Sequence, residues 1–385
     1  MAPPPPELME ELVEEILLRF PPHEPARLVH AALVCKRWCH LISAPGFRRR
    51  FCKLHRTPPM LGFHYRSIAD DGYNVGHFVP ISAFRLPHAV TSSWRALDAR
   101  HGRILFRSLG KRFGSDIALA VWDPITDEKR KLPLLPRNRS TWVAAVLCFA
   151  AGACDHLDCQ RGPFLVVVVA TNTGGTFIRT CSSDDDAWSE PIFSQQNGGC
   201  VDSTMRGTLM GSALYFGILM PDKALRYDLE LREVSLVQLP PKHFKWDMRV
   251  LTTTEDGGLR LANTHGSKIY MWSRNDGPQL DAGWTLNKVI ELETLLPSYA
   301  ILTSPDVVGF AEGISVIFVR ANDVLFTIDL NTCEVKKVCK GKGIHAVVPY
   351  MSFYTPALGA ACAGEGPSAV RVAPQVHEVF MVSVS

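Results

Sequence analysis

Charge of neither sign dominates this chain: 41 basic and 38 acidic residues leave a formal net charge of +3. Composition therefore offers no footprint for a nucleic acid or an anionic membrane as principal partner. No segment approaches the roughly 20 apolar residues that cross a bilayer. The most apolar run, FLVVVVA at Phe164 to Ala170, is short and mainly β-branched, and it predicts a buried strand. The opening MAPPPPELMEE lacks the basic-then-apolar layout of a secretory signal. The 11 cysteines are odd in number and cannot all pair, which predicts free thiols in a reducing compartment, cytoplasm or nucleus. Without a secretory route, the acceptor-like Asn138-Arg139-Ser140 is expected to stay unmodified.

Catalytic signatures are missing too. Gly110-Lys111 and Gly341-Lys342 lack both the following Ser or Thr and the upstream glycine of a phosphate loop, and His23-Glu24 does not continue to a second histidine. There is no G-x-S-x-G. The run Asp184, Asp185, Asp186 lacks the glycine and distal glutamate of a calcium loop and reads as a solvated turn. Cys154, His156 and Cys159 set two thiols and an imidazole close together, but no second pair stands elsewhere to complete the four ligands of structural zinc. A free-thiol loop is expected there, with no metal and no other cofactor.

What the chain does have is the makeup of a globular protein, 46% hydrophobic and 21% charged over 385 residues, enough for two or three domains. The first 55 or so residues are helical in pattern. Pro3 to Pro6 and the acidic Glu7, Glu10 and Glu11 mark a helix start, and Pro21 and Pro22 mark its end. Between them, Leu8, Leu12 and Ile16 repeat every four residues, and so do Met9, Val13 and Leu17. Together they form an apolar band wider than one core-facing stripe. A second helix is expected from about Pro25, and a third over Cys35 to Ile42 that Pro45 stops. Arg48, Arg49 and Arg50 read as a solvated helix end, and Cys35, Cys39 and Cys52 as small apolar core residues. Three such helices bury little surface alone and need a partner.

The stretch LVEEILLRFPP, followed at a set distance by LVCKRW and then Leu41-Ile42, Pro45 and Phe47, resembles an F-box. The family commonly begins Leu-Pro where this chain has Leu8-Met9. The resemblance implies a three-helix F-box over residues 6–55 that interlocks with a Skp-family adaptor and, through it, with the cullin scaffold of a ubiquitin ligase. Carried over by position, Leu8, Leu12, Ile16, Leu17, Pro21, Pro22, Leu28, Leu33, Val34, Trp38, Leu41 and Ile42 would be shared between the module's own core and the adaptor interface. Spacing does not divide them between the two.

Residues 56–385 change character to short strand-like runs such as GRILFRS, IALAVWDP and DVLFTIDL, broken by Gly, Pro, Asp and Asn. Asp123, Asp228 and Asp329 each follow an apolar strand and precede a turn, and Trp188 and Trp284 fall between them, at a mean spacing of about 51 residues. That period predicts an all-β domain, a kelch-like β-propeller. Adding one blade from about Met60 to Phe106 gives six, or seven if final strands at Ala346 to Pro349 or Val376 to Val384 close the ring. The Asp and Trp anchors are expected to be architectural. This body, with RTPPMLGFHY, VWDPITDEKRKLP and VVPYMSFYTPALG, also resembles grass F-box proteins that carry such a domain.

The expected function is therefore a non-catalytic substrate receptor that binds a target protein of unidentified chemistry, with neither nucleic acid nor membrane as partner. Loops such as Arg137 to Thr141 and Gln195 to Thr204 carry no interpretable binding motif. Two alternatives remain at this level: a propeller enzyme or ligand-binding domain that the helices only cap, and a diverged copy that binds the adaptor and recruits nothing. A receptor should leave the Leu12 and Ile16 side of the first helix open, whereas a cap should bury it.

Overall fold

The computed structural model describes residues 9–69, 74–82, 84–86, 94–108, 116–136, 140–150, 154–156, 159–185, 187–195, 199–220, 222–240, 249–274 and 283–355. Leu8, Asn138, Arg139, Asp186 and the segment 376–384 lie outside the described residues.

Four helices open the structure rather than three: α1 (Glu10–Leu18), α2 (Pro25–Val34), α3 (Lys36–Ser43) and α4 (Pro45–His55). α3 ends at Ser43 just before Pro45, as expected, but Pro45 also opens the added helix. Pro45 occupies the first turn of α4, as Pro25 does in α2, where a residue without an N–H loses no intrahelical bond. Cys35 breaks α2 from α3 by adopting extended dihedrals (φ −159°, ψ 161°), and it is exposed, unlike Cys39 and Cys52. The arginine run also departs from expectation, because it lies inside α4. Arg48 is buried, Arg49 pairs with Asp155 of the body, and Arg50 pairs with Glu14 of α1. Val13, Leu17, Leu28, Ile42, Phe47 and Phe51 form the core between the helices. The body supplies Phe353 to the same core, its ring meeting Phe51 edge-on at 6.0 Å.

The body is a six-bladed propeller, with one three-stranded and five four-stranded antiparallel sheets. Blade one joins β1 (Met60–Ile68) and β2 (Asn74–Pro80) to β23 (His345–Met351). Blade two holds β3 (Trp94–Arg100), β4 (Arg103–Ser108), β5 (Leu119–Asp123) and β6 (Glu128–Lys131). Blade three holds β7 (Thr141–Cys148), β8 (Phe164–Asn172), β9 (Gly175–Ser182) and β10 (Ile192–Ser194). Blade four holds β11 (Thr208–Met210), β12 (Ala213–Gly217), β13 (Lys223–Asp228) and β14 (Glu233–Gln238). Blade five holds β15 (Arg249–Thr253), β16 (Leu259–His265), β17 (Lys268–Arg274) and β18 (Thr285–Glu291). Blade six holds β19 (Asp306–Ala311), β20 (Val316–Ala321), β21 (Val324–Asp329) and β22 (Val335–Lys340).

The stretch from Met60 to Phe106 is thus not one blade. It splits between blades one and two, because the late strand β23 returns to pair with β1 (His64 opposite Val348, Phe63 opposite Pro349). This pairing fastens the two ends of the propeller to each other and completes the ring at six. β23 and the leading strands β3, β7, β11, β15 and β19 surround the axis. The fit there is close: a Cβ on Gly309 of β19 would stand 2.8 Å from Cβ of Val347 on β23.

The repeat anchors have the structural roles expected of them. Asp123, Asp228 and Asp329 each end the third strand of a blade, and one carboxylate oxygen accepts the N–H groups two and three residues on. In all three turns the fourth residue after the aspartate is left-handed: Asp127, Arg232 and Cys333, each with φ 59°. Trp188 and Trp284 donate their indole N–H to Pro133 O and Gln238 O, at or just past the end of the outer strand of the preceding blade. They tie blade to blade. Buried Asp98 does so nearer the axis, accepting from Arg100 and from the N–H of Val146 on β7, both at 3.0 Å.

Candidate functional site

Two surfaces stand out, one on the helices and one at the axis. In α1 the apolar band is divided by direction. Val13, Leu17 and Leu18 face the helical core, while Met9, Leu12 and Ile16 are 63%, 47% and 53% exposed. At the end of α2, Leu33 and Val34 are 58% and 65% exposed. Arg37, opening α3, pairs with Glu10 at the start of α1 (3.6 Å), which brings the end of α2 towards the first turn of α1. Pro21, Pro22, Trp38 and Leu41 are half-buried.

The twelve positions named from the resemblance therefore separate. Leu17, Leu28 and Ile42 are fully buried and belong to the module's own core, the side that spacing left undecided. Leu12, Ile16, Leu33 and Val34 are open, and Leu8 lies outside the described residues. The module meets the body through α4, by Phe51 against Phe353 and Arg49 with Asp155. Met9, Leu12, Ile16, Leu33 and Val34 together leave an apolar patch open on these short helices.

The second surface is a cavity of about 500 Å³ at the axis. The first residues of the inner strands line it, among them Arg95, Thr141, Trp142, Val250 and Ala346. Arg95 of β3 and Arg107 of β4 line it, and Arg66 of β1 is near enough that the three repel one another. Burial, then the charges of Arg66 and Arg107, push the Arg95 guanidinium down to about 9. Burial, then Arg107, pushes Arg66 down to about 10, against the attraction of Asp202. Arg95 donates to Ser203 O (2.8 Å), and the Arg107 guanidinium lies over the Trp142 ring at 5.0 Å. Arg206, also at the wall, is neutralised by Glu312 at 2.9 Å. Among the described residues, no carboxylate pairs with Arg66 or Arg95 within salt-bridge distance. The cavity thus presents positive charge from a dry wall, an arrangement suited to an anionic group.

The two surfaces lie at opposite ends of the inner strands. The helices lean on Phe353, just past the end of β23, whereas the cavity is lined by Ala346, Val347 and Val348 at its start.

Comparison with known proteins identifies both parts. Residues 6–50 match the F-box domain, and residues 95–358 match the family described as F-box protein AT5G49610-like, beta-propeller. This chain belongs to that F-box family. The curated F-box protein At5g03970 of Arabidopsis thaliana is 26% identical over 277 residues, 67% of this chain and 63% of that protein. The match thus spans less than two thirds of the relative's length. Solved structures similar to it include an arginine-substituted mutant of AofleA from Arthrobotrys oligospora, with TM-score 0.43 and 12% identity over 78% of this chain and 92% of that one. Apo AztD from Citrobacter koseri is another, with TM-score 0.38 and 11% identity over 77% of this chain and all of its own.

The F-box pattern made the helical surface legible in the sequence. The arginine cluster was not, because its members come from three strands of two blades. The available signal was an arginine beside aromatic and aliphatic residues in each strand: HYRSI, WRALD and ILFRS.

Proposed function

We propose that this F-box protein is a substrate-receptor subunit of a Skp–cullin–F-box ubiquitin ligase. One observation carries the reading: Leu12 and Ile16 stay open on a helix whose other side is packed, and among the described residues they belong to no core cluster of the body. Covering such side chains contributes roughly 1.5–3 kcal/mol each, enough for the two to dominate a small interface. A helical cap on a propeller enzyme would bury them instead.

In this reading the helices hold a Skp-family adaptor and the propeller holds a target protein at its other end. The receptor breaks and makes no bond; it raises the local concentration of target lysines beside the ubiquitin-charged enzyme. The arginine-lined cavity favours a target that presents an anionic group, and the ligase setting places the protein in the cytoplasm, the nucleus or both. The test is co-elution of the full chain with a Skp-family adaptor and a cullin. The wild type is expected to co-elute, and Leu12→Asp/Ile16→Asp to lose the complex while remaining folded by circular dichroism. A wild-type chain that ignores the adaptor under conditions where another F-box protein binds would sink the reading.

A further inference from the structure

The fold supplies the fourth ligand that the sequence lacks. Cys154, His156 and Cys159 sit on the loop after β7, and Cys148, the last residue of β7, turns its thiol towards them. The three sulfurs and a ring nitrogen all lie within 4.8 Å of one another. Cys159 Sγ is 3.5 Å from His156 Nδ1, and Cys154 Sγ accepts the backbone N–H of His156 at 3.3 Å. A tetrahedral zinc with bonds of about 2.3 Å to sulfur holds its ligands about 3.8 Å apart, so the four need to close by no more than about 1 Å.

We propose that Cys148, Cys154, His156 and Cys159 form a structural zinc site that closes the loop between β7 and β8. The donor set selects the ion: three thiolates and an imidazole are soft ligands in tetrahedral number, with no oxygen donor to favour calcium or magnesium. Four protein ligands leave no open position for chemistry, which makes the role structural. Binding releases the three thiol protons to solvent and leaves the site with a net charge of −1.

The surroundings are built to hold this arrangement. Buried Arg103 donates to Cys159 O (2.8 Å), Gln160 O (2.6 Å) and Gly162 O, gathering the far end of the loop. Its positive charge also suits an anionic metal site. The His101 ring stacks on His156 with centroids 4.0 Å apart and fixes its plane. Asp155, between two of the ligands, pairs with Arg49 of α4 at 3.5 Å. The loop that zinc would stiffen is thus one on which the F-box helices lean.

The test is the metal content of the full chain, expressed with zinc and purified with a reductant, then dialysed against metal-free buffer. About one zinc per chain is expected, and cobalt substitution should give the thiolate charge-transfer and intense visible bands of a tetrahedral sulfur site. Cys154→Ser/Cys159→Ser should hold less than about a tenth as much. Cys35→Ser/Cys333→Ser, which alters two exposed thiols elsewhere, should hold as much as the wild type. Should the first double variant misfold, His156→Cys gives the second readout: it keeps a four-ligand set and is expected to retain zinc, whereas His156→Ala is not. Zinc below about 0.1 per chain in the folded wild type, or undiminished in Cys154→Ser/Cys159→Ser, would overturn the proposal.

Discussion

Adjacent residues in α1 differ more in role than in chemistry. Leu12 and Ile16 face water while Val13 and Leu17 face the core, so the same kind of substitution should have opposite readouts at the two sets. Leu12→Asp/Ile16→Asp should change the unfolding free energy by about 0.5 kcal/mol or less, since it alters only exposed side chains. Leu28→Ala should cost about 2–5 kcal/mol through the cavity it leaves, and chemical denaturation of the two variants would separate the roles. The period of α1 revealed a band too wide for one contact, but direction depends on how α2 to α4 pack, which no local pattern encodes. His64 is a second residue-scale case. It is buried between Phe78 and Phe106, and burial pushes its imidazole from 6.5 down to about 3, opposed by a backbone bond to His77. The unfolded chain takes up that proton near pH 6.5 and the folded one does not. The stabilising contribution is thus complete above pH 6.5 and is lost as pH falls towards 3, by on the order of 1 kcal/mol per unit. His64→Phe should flatten that slope in urea titrations across the range.

Among the elements, the recurring turn after Asp123, Asp228 and Asp329 was visible in the sequence because its chemistry is local: an aspartate that accepts its own backbone N–H groups. Replacing Asp329 by Ala removes the acceptor for Asn331 and Thr332 and should cost about 1–2 kcal/mol. Cys333→Gly should have the opposite sign, raising stability by about 0.5–1 kcal/mol, because a glycine adopts φ 59° without the strain of a side chain. Thermal melts of the pair test both. The fourth helix was harder to read, since a proline that ends one helix and a proline that starts the next differ only in whether a helical run follows. Pro45 does both within three residues of Ser43.

At the scale of the whole molecule, the blade count and a returning strand at Ala346 to Pro349 were legible in the sequence, but the blade that this strand completes was not. Only the fold reveals that β23 belongs with β1 and that Met60 to Phe106 spans two blades. A chain ending at Lys342 would lack the inner strand of blade one and leave β1 unpaired along its axial edge. It should be recovered aggregated or without a cooperative unfolding transition, whereas a ring that tolerated the loss would melt as the full chain does. The same assembly hid the arginines of the cavity, whereas the fourth cysteine beside His156, Cys148, lies only a few residues upstream at the end of β7 and was hidden by the change from strand to loop. It also sets the helices and the cavity at opposite ends of the inner strands, the layout a receptor needs to hold adaptor and target at once.

The central claim is that the open side of α1 and the end of α2 are the adaptor surface. Side-chain oxidation footprinting of the full chain, with and without a Skp-family adaptor, tests it most directly. Protection of Met9, Leu12, Ile16, Leu33 and Val34, with Trp142 in the cavity unchanged, is the expected result. Protection absent from these five, or appearing instead around the cavity, would contradict it.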